Sequence, residues 1–537
     1  MKRQTKLTLR NLISNGYFPA ELIPPFNTKD FGKHVNSIVS STVGMNIQIN
    51  GDKILSSKCC IHSIPRILHH RRSLGIPNPF HQLKLAQTIV DNWKDIKKHV
   101  YKSKYSLTLP VVKSGSPRAI SRSHDFRDIP SIIPMLSTNS RYVLRTDISR
   151  YYPTIYTHSI PWACHGKAFA KIKSNRGHNY YGNALDTHVR NTQDQQTIGI
   201  PIGPDSSLII SELIGSTMDM EIYTEIGAKG IRYIDDYYFF FNTTSEAEEA
   251  LTKLHKIAKK YELELNPEKT SIYSLPDSLE HKWTSEIRGY EFHKSLKRQK
   301  TDLVTFFSKA FEYSKSYPNE YVLKYSLSRI KNELIDKNNW DLYESLILNS
   351  IIAEPSVLPT ATEIFLAYYN LGYNLNLKKI GETINNIIGH HSKLGHGYEV
   401  SWGLWLAKTL GIKISKASAK ELSQVEDSIV AITALDLRNT GLITSGLDLS
   451  EWMNYLTHEN LYQDKWLFAY EACKKGWVTP SNNYISIDPF FSILEAKNIE
   501  FYNPMLQVVA ASPENDSNTH VVNTVEQGFR YVIAGGY

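Results

Sequence analysis

Cysteine is scarce. Four thiols (Cys59, Cys60, Cys164, Cys473) in 537 residues are too few for a disulfide framework, and no C-x-x-C pair supplies half of a structural zinc site. Cys59, Cys60 and His62 cluster, but buried or idle thiols are the expected reading there. Long hydrophobic runs are absent as well. No stretch approaches the roughly 18 apolar residues that a membrane span needs, so an integral membrane protein is excluded and no membrane partner is expected. The amino-terminal MKRQTKLTLRNLISNGYF lacks the apolar run and small-residue cleavage site of a secretory signal, which makes the cytoplasm the expected compartment. Nor is charge of one sign in large excess. Sixty-one basic against 53 acidic residues leave +8, which permits a polyanionic partner without requiring one.

What is present is tyrosine, 32 residues of it, and basic residues interleaved with aromatics. Trp93, Lys94, Lys97, Lys98, Tyr101, Lys102, Lys104 and Tyr105 form a segment that could track phosphates and stack on bases, or equally a solvated amphipathic helix and loop.

Organisation changes along the chain. Residues 1–106, an N-terminal extension and fingers, are mixed, with Pro-broken pieces around Pro24, Pro25, Pro77 and Pro79. One helix is predicted over 80–101, where Leu83, Ala86, Ile89, Val90 and Trp93 recur at helical spacing. In 107–300 short β-rich runs alternate with helices. Strands are predicted at 107–112, 141–147, 230–234, 237–241 and 270–275, the pattern of an α/β or α+β catalytic module. Beyond a basic stretch at 294–300 the β signal fades. Residues 301–512 read as helices, with Tyr343, Leu346, Ile347, Ser350 and Ile351 on one face, separated by Pro- and Gly-bearing loops. That cadence predicts stacked helix pairs, an α-solenoid, without a clean self-similar period. Residues 513–537 are polar and then Gly-rich, and are expected to form a mobile or partner-ordered tail.

The strongest local signal is GIRYIDDYYFFF. Apolar and aromatic runs around Asp235 and Asp236 predict two strands meeting at a hairpin tip that holds both carboxylates close together. Such neighbours repel one another unless cations sit between them. Asp is a common turn residue, yet two turn acids enclosed by aromatic strands are an uncommon construction. A second apolar strand, in YVLRTDISRYYPTIY, ends at Asp147. Strand-end acids that converge could hold two Mg²⁺ ions roughly 3.5–4 Å apart, which activate an attacking hydroxyl and stabilise a leaving pyrophosphate. Oxygen ligands favour Mg²⁺ over zinc. In ELELNPEKTSIY, Lys269 follows an Asn-Pro turn and precedes a strand, where it could protonate or neutralise the pyrophosphate. LPVVKSGSPRAI reads as a β-hairpin projecting Lys113 and Arg118 as phosphate-binding cations.

In this order the motifs resemble those of reverse transcriptases over 107–292: the Asp147 strand and the aromatic segment after it, GIPIGPDSS, the YIDD hairpin, the LNPEKT turn and an IRGYEF strand. The resemblance implies an α+β fingers-palm polymerase core. Asp147 and Asp235 would coordinate both metals, Asp236 would support them, and the backbone oxygen of Ile148 would be an extra ligand. Tyr152 would stack under the sugar and exclude a 2′-hydroxyl, while Lys113 and Arg118 would bind the triphosphate of a dNTP. Gly203 belongs to the glycine segment, which in many reverse transcriptases begins Pro-Gln-Gly; here Ile202 lies between Pro201 and Gly203. Arg150 stands three after Asp147, where many family members carry an acid. Both departures mark a divergent nucleotide pocket.

IYTHSIPWACHGK resembles a segment of bacterial abortive-infection reverse transcriptases, which carry an all-α, HEAT-like helical-repeat domain after the polymerase in place of an ordinary thumb. That resemblance implies antiphage defence by untemplated, protein-primed DNA synthesis, single-stranded DNA attached through a tyrosine, homo-oligomers and, in some relatives, a noncoding RNA. Two other readings stay open. Against an RNA-templated enzyme of a retron or mobile element stand Ile202 and the missing maturase and nuclease motifs. Against a non-catalytic helical scaffold stand the intact Asp147, Asp235, Asp236 and Lys269. SWGLWLAKTLGI, with Trp402, Trp405, Leu406 and Leu410, is expected to be a buried repeat helix rather than a site.

Overall fold

Aromatic and β-branched side chains favour extended backbone, and the runs rich in them assemble around one antiparallel sheet. The computed structural model describes residues 6–506 except 50, 67 and 69; the expected tail at 513–537 lies outside the described residues. Three antiparallel strand pairs precede the central sheet: Gln48–Ile49 with Asp52–Lys53, β1 (Cys60–Pro65) with β2 (Arg71–Ile76), and β3 (Pro110–Val111) with β4 (Ser121–Arg122). The central sheet contains β5 (Tyr142–Asp147), β6 (Lys229–Tyr233), β7 (Asp236–Phe241) and β8 (Ser271–Ser274), in the order β8-β5-β7-β6. Its register sets Asp147 opposite Asp236, and Leu144 opposite Phe239. On the face that carries Leu144, Thr146, Tyr237 and Phe239 all four side chains are buried, and helix Thr244–Lys260 packs on β5 and β7. Helix Asp205–Glu225 is buried on all sides over 205–219, as a helix must be when polar and apolar residues alike face neighbouring elements.

Four expectations change. The strand predicted over 107–112 forms only at Pro110–Val111. The helix predicted over 80–101 is two helices, Pro79–Asp91 and Trp93–Val100. They break at Asn92, whose side-chain amide donates to Thr88 O (2.9 Å), a local bond that competes with helix continuation. The predicted IRGYEF strand does not form: Ile287 and Arg288 end helix Lys282–Arg288, and Tyr290 and Phe292 pack on Phe306 with ring centroids 5.4 and 5.2 Å away. Burial against a helix replaces sheet pairing there. The division expected at 300/301 falls inside helix Leu296–Ser316.

The C-terminal helices form two rows. Val322–Ile330, Leu358–Asn370, Gly397–Leu410, Ser428–Asn439 and Trp466–Lys474 pack in succession as one row, and Trp340–Ala353, Leu377–Lys393 and Lys416–Leu422 as the other. Trp402, Trp405 and Leu406 are buried in Gly397–Leu410, as expected of that segment. The array returns to the N-terminal part of the chain. Gly397–Leu410 packs on β1, and Trp402 Nε1 donates to Glu21 O and Trp466 Nε1 to Ile76 O. Phe501 packs on Phe18 and Phe31. His62 on β1 bonds Asp427 (2.8 Å), whose other oxygen accepts from Ile429 N and Val430 N at the start of Ser428–Asn439.

Asp427→Ala removes a helix cap and strands a buried imidazole, so it is expected to cost roughly 2–4 kcal/mol in urea denaturation. Asp448, exposed and accepting from Ser450 N (3.0 Å) in a local turn, is the control. Equal costs at the two positions would show that the contact with β1 adds nothing.

Candidate active site

Sheet register brings the acids together. Asp147 ends β5, Asp236 opens β7 directly opposite, and Asp235 lies in the connection from β6. Ile148 N donates to Asp235 O (3.2 Å), and Asn266 N to Asp147 O (2.9 Å), so the acids are stitched to each other by main chain. Ser149 N donates to Glu264 O (2.8 Å), and these bonds bypass Ile148 O.

The turn that carries Asp235 is strained, because Ile234 has φ +58°, a region costly for a β-branched residue. Its backbone is gripped at both polar groups. Ile234 N donates to Thr108 Oγ1 (3.3 Å) and Ile234 O accepts from Arg232 Nη1 (2.8 Å). Arg232 is fully buried and also donates to Glu212 (2.9 and 3.1 Å) and Asp219 (2.8–3.0 Å) on helix Asp205–Glu225. A Cβ on Gly215 would come within 2.8 Å of the guanidinium carbon, so only glycine leaves it room.

Asp147 and Asp236 are buried and Asp235 half-buried. Desolvation, then repulsion from Asp236 and Asp147, push Asp235 up to about 7, with Lys269 opposing. Lys269 Nζ donates to Asp147 Oδ2 at 2.6 Å from the turn Pro267–Lys269, where the Asn266 side chain accepts from Glu268 N. Asp147 Oδ1 is buried without a hydrogen-bond partner.

Residues 95–306 match the family described as reverse transcriptase (RNA-dependent DNA polymerase). The chain carries a reverse transcriptase domain. That domain makes the protein a nucleotidyltransferase of the RNA-directed DNA polymerase type. No curated protein matches the chain. Among solved structures, apo telomerase from Candida Tropicalis is similar over 78% of this chain and 72% of that chain, at 11% identity and a TM-score of 0.30. Telomerase from Candida albicans in complex with a TWJ fragment of telomeric RNA is similar over 60% and 69%, at 9% identity and a TM-score of 0.28.

Reverse transcriptase domains use divalent metal ions, and the donor set fits one. Three carboxylates converge, Lys269 bonds one of them, and an orphaned, buried carboxylate oxygen is costly unless a cation meets it. Around this cluster the other predicted residues divide. Tyr152, in the short helix Tyr151–Thr154, accepts a bond from Ser211 Oγ (3.1 Å), and burial pushes its phenol up to about 12. Gly203 has φ +127°, and a Cβ there would meet Pro19 at 2.4 Å. Lys113 is exposed in the β3–β4 connection. Arg118 does not project as expected: its guanidinium donates to Asp205 (2.5 and 3.0 Å), Phe18 O (2.7 Å) and Gly203 O (3.1 Å). Those bonds pin the N-terminal segment to the glycine segment.

A cation that the sequence motifs did not single out, Arg72, interacts electrostatically with Asp235. Neighbours on a strand point to opposite faces, and Arg71 turns toward Ser63 and Glu399. Arg72 is instead held below its ordinary value by burial and by Arg66, against the pull of Tyr321, Glu21 and Asp235. Adjacent arginines in a β-prone run were the available signal. Tyr321 and Lys324, its Nζ 5.6 Å from the Tyr321 ring centroid, bring the helical array to the same neighbourhood, for Lys324 also interacts with Glu21.

A carboxyl whose folded value lies above its unfolded one destabilises the metal-free fold as pH rises from about 4 to about 7, and fully so above that. Asp235→Asn is therefore expected to raise the melting temperature of metal-free protein at pH 8, to change it little at pH 4, and to abolish nucleotide incorporation. Equal melting temperatures for wild type and variant at pH 8 without metal would refute the raised carboxyl.

Proposed function

We propose that this protein is a DNA polymerase acting in antiphage defence, which joins dNTPs without a conventional template and starts from a protein tyrosine. The observation that carries the polymerase reading is the convergence of Asp147, Asp235 and Asp236 around an orphaned carboxylate oxygen, with Lys269 at 2.6 Å. In this reading Asp147, Asp235, Asp236 and Ile148 O hold two Mg²⁺ ions, which supply activation of the attacking hydroxyl and charge neutralisation at the leaving pyrophosphate. Lys269 Nζ holds the proton for the leaving oxygen. Tyr152 sets its ring where a 2′-hydroxyl would lie, and Lys113 and Arg72 bind the triphosphate.

Two features support the untemplated reading. Ile202 replaces the template-handling glutamine, and its carbonyl accepts from Gly75 N of β2 (2.9 Å). Pro19 packs against Gly203, crowding the same segment. The alternating rows of C-terminal helices support the HEAT-like reading, and with it the abortive-infection group whose members form homo-oligomers and in some cases use RNA. The deciding experiment incubates purified protein with Mg²⁺ and each dNTP separately, without nucleic acid, and runs the product on a denaturing gel before and after DNase. A nuclease-sensitive, denaturation-resistant protein–DNA species with a nucleotide adduct on tyrosine is expected. Synthesis only on an added primer and template would instead favour the retron or mobile-element reading.

Two substitutions separate the parts of the nucleotide pocket. Tyr152→Val is expected to admit ribonucleotides while retaining activity, and an unchanged ratio of deoxynucleotide to ribonucleotide use would place the gate elsewhere. Arg72→Ala is expected to raise KM for dNTPs about tenfold or more; an unchanged KM removes it from the triphosphate site.

A further inference from the structure

We propose that His391, His396 and Glu399 form a second metal site, of two imidazoles and a carboxylate, that takes a zinc-like transition-metal ion and joins two helices of the array beside the Arg71–Glu399 contact with the β1–β2 hairpin. His391 lies in the last turn of Leu377–Lys393, His396 precedes Gly397–Leu410, and Glu399 is in that helix's first turn. The two Nδ1 atoms are 2.9 Å apart, Glu399 Oε1 is 3.9 Å from His396 Nδ1, and all three ligand atoms lie within 4.8 Å of one another. Zinc bonds of about 2.0–2.2 Å in tetrahedral geometry set neighbouring ligand atoms about 3.3 Å apart, so the two imidazoles must part slightly and Glu399 must move in by about half an ångström or more to complete the site.

The donor set suits a cation. Two Nδ1 atoms in contact need a proton or a cation between their lone pairs, and a metal ion meets both at once. Glu399 is buried and oriented by Arg71, which donates from Nη1 to Oε1 and from Nη2 to Oε2 (2.9 Å). A bonded carboxylate of this kind is the usual outer support of a metal ligand. Arg71 cancels the charge of Glu399, so affinity rests on the imidazoles, which select zinc, cobalt or nickel over Mg²⁺. The all-oxygen cluster at Asp147, Asp235 and Asp236 has the reverse preference. Because Arg71 and Arg72 are consecutive on β2, an ion at Glu399 would stiffen the strand whose next residue interacts with Asp235. The site stands independently of the polymerase reading.

The test titrates Co²⁺ into full-length protein carrying Asp235→Asn, which weakens the competing acid cluster, and reads visible absorption. One equivalent giving the intense bands of a four-coordinate site, bleached by Zn²⁺, is expected. His391→Ala and His396→Gln should each abolish those bands with circular dichroism unchanged. No binding, only the weak spectrum of a six-coordinate oxygen site, or bands that persist in both histidine variants would overturn the proposal. If a histidine variant does not fold, wild-type protein decides: Zn²⁺ should protect His391 and His396 from diethyl pyrocarbonate as mapped by mass spectrometry, and equal modification with and without Zn²⁺ overturns the site.

Discussion

The polymerase domain is organised around a buried charge. Arg232, shielded from water, answers Glu212 and Asp219 on the central helix and reaches Ile234 O in the turn that carries Asp235. Stripping solvent from three charged groups is expensive, and removing any one partner would leave the others uncompensated. The network therefore ties helix Asp205–Glu225, strand β6 and, through Thr108 and Ser106 on Glu212, the segment leading into β3. A left-handed isoleucine survives in the turn because these bonds overdetermine it. The position of the carboxylates follows from that anchoring: β7 enters the sheet in a register that sets Asp236 beside Asp147, and burial, with repulsion from both, raises Asp235.

The β1–β2 hairpin is the second hinge of the architecture. One of its arginines pairs with Glu399 of the array, the other interacts with the acid cluster, and its Gly75 binds the carbonyl of Ile202. His62 reaches the array from β1. The helices that follow the polymerase domain in sequence thus brace the part of the chain that precedes it. Glycine segment, hairpin and array are thus joined by hydrogen bonds.

Much of the acid cluster was legible because its signals are local. Hydrophobic runs bracketing Asp235 and Asp236 identify strands, an acid closing such a run identifies Asp147, and an Asn-Pro turn positions Lys269. The strands predicted at 141–147, 230–234, 237–241 and 270–275 agree with β5–β8 to within a residue or so at their ends. IRGYEF misled because its alternation satisfies a strand and equally an irregular segment whose aromatic rings bury against Phe306. Arg118 misled because its partner Asp205 lies 87 positions away, and a guanidinium reads the same in sequence whether it is paired or free.

Sequence by itself determined the strand runs, the acids at their ends and the helical character of 301–512, since each depends on backbone propensity and on periodicity over a few residues. Tertiary structure alone decided which cations face the acids, where the array docks and which histidines meet. His62 and Asp427 are 365 positions apart, and Arg71 and Glu399 are separated by 328. No short window records such a pairing. It exists because burying the aromatic and aliphatic faces of both segments brings them together, and polar groups caught in that interface must then find partners or pay the full cost of desolvation.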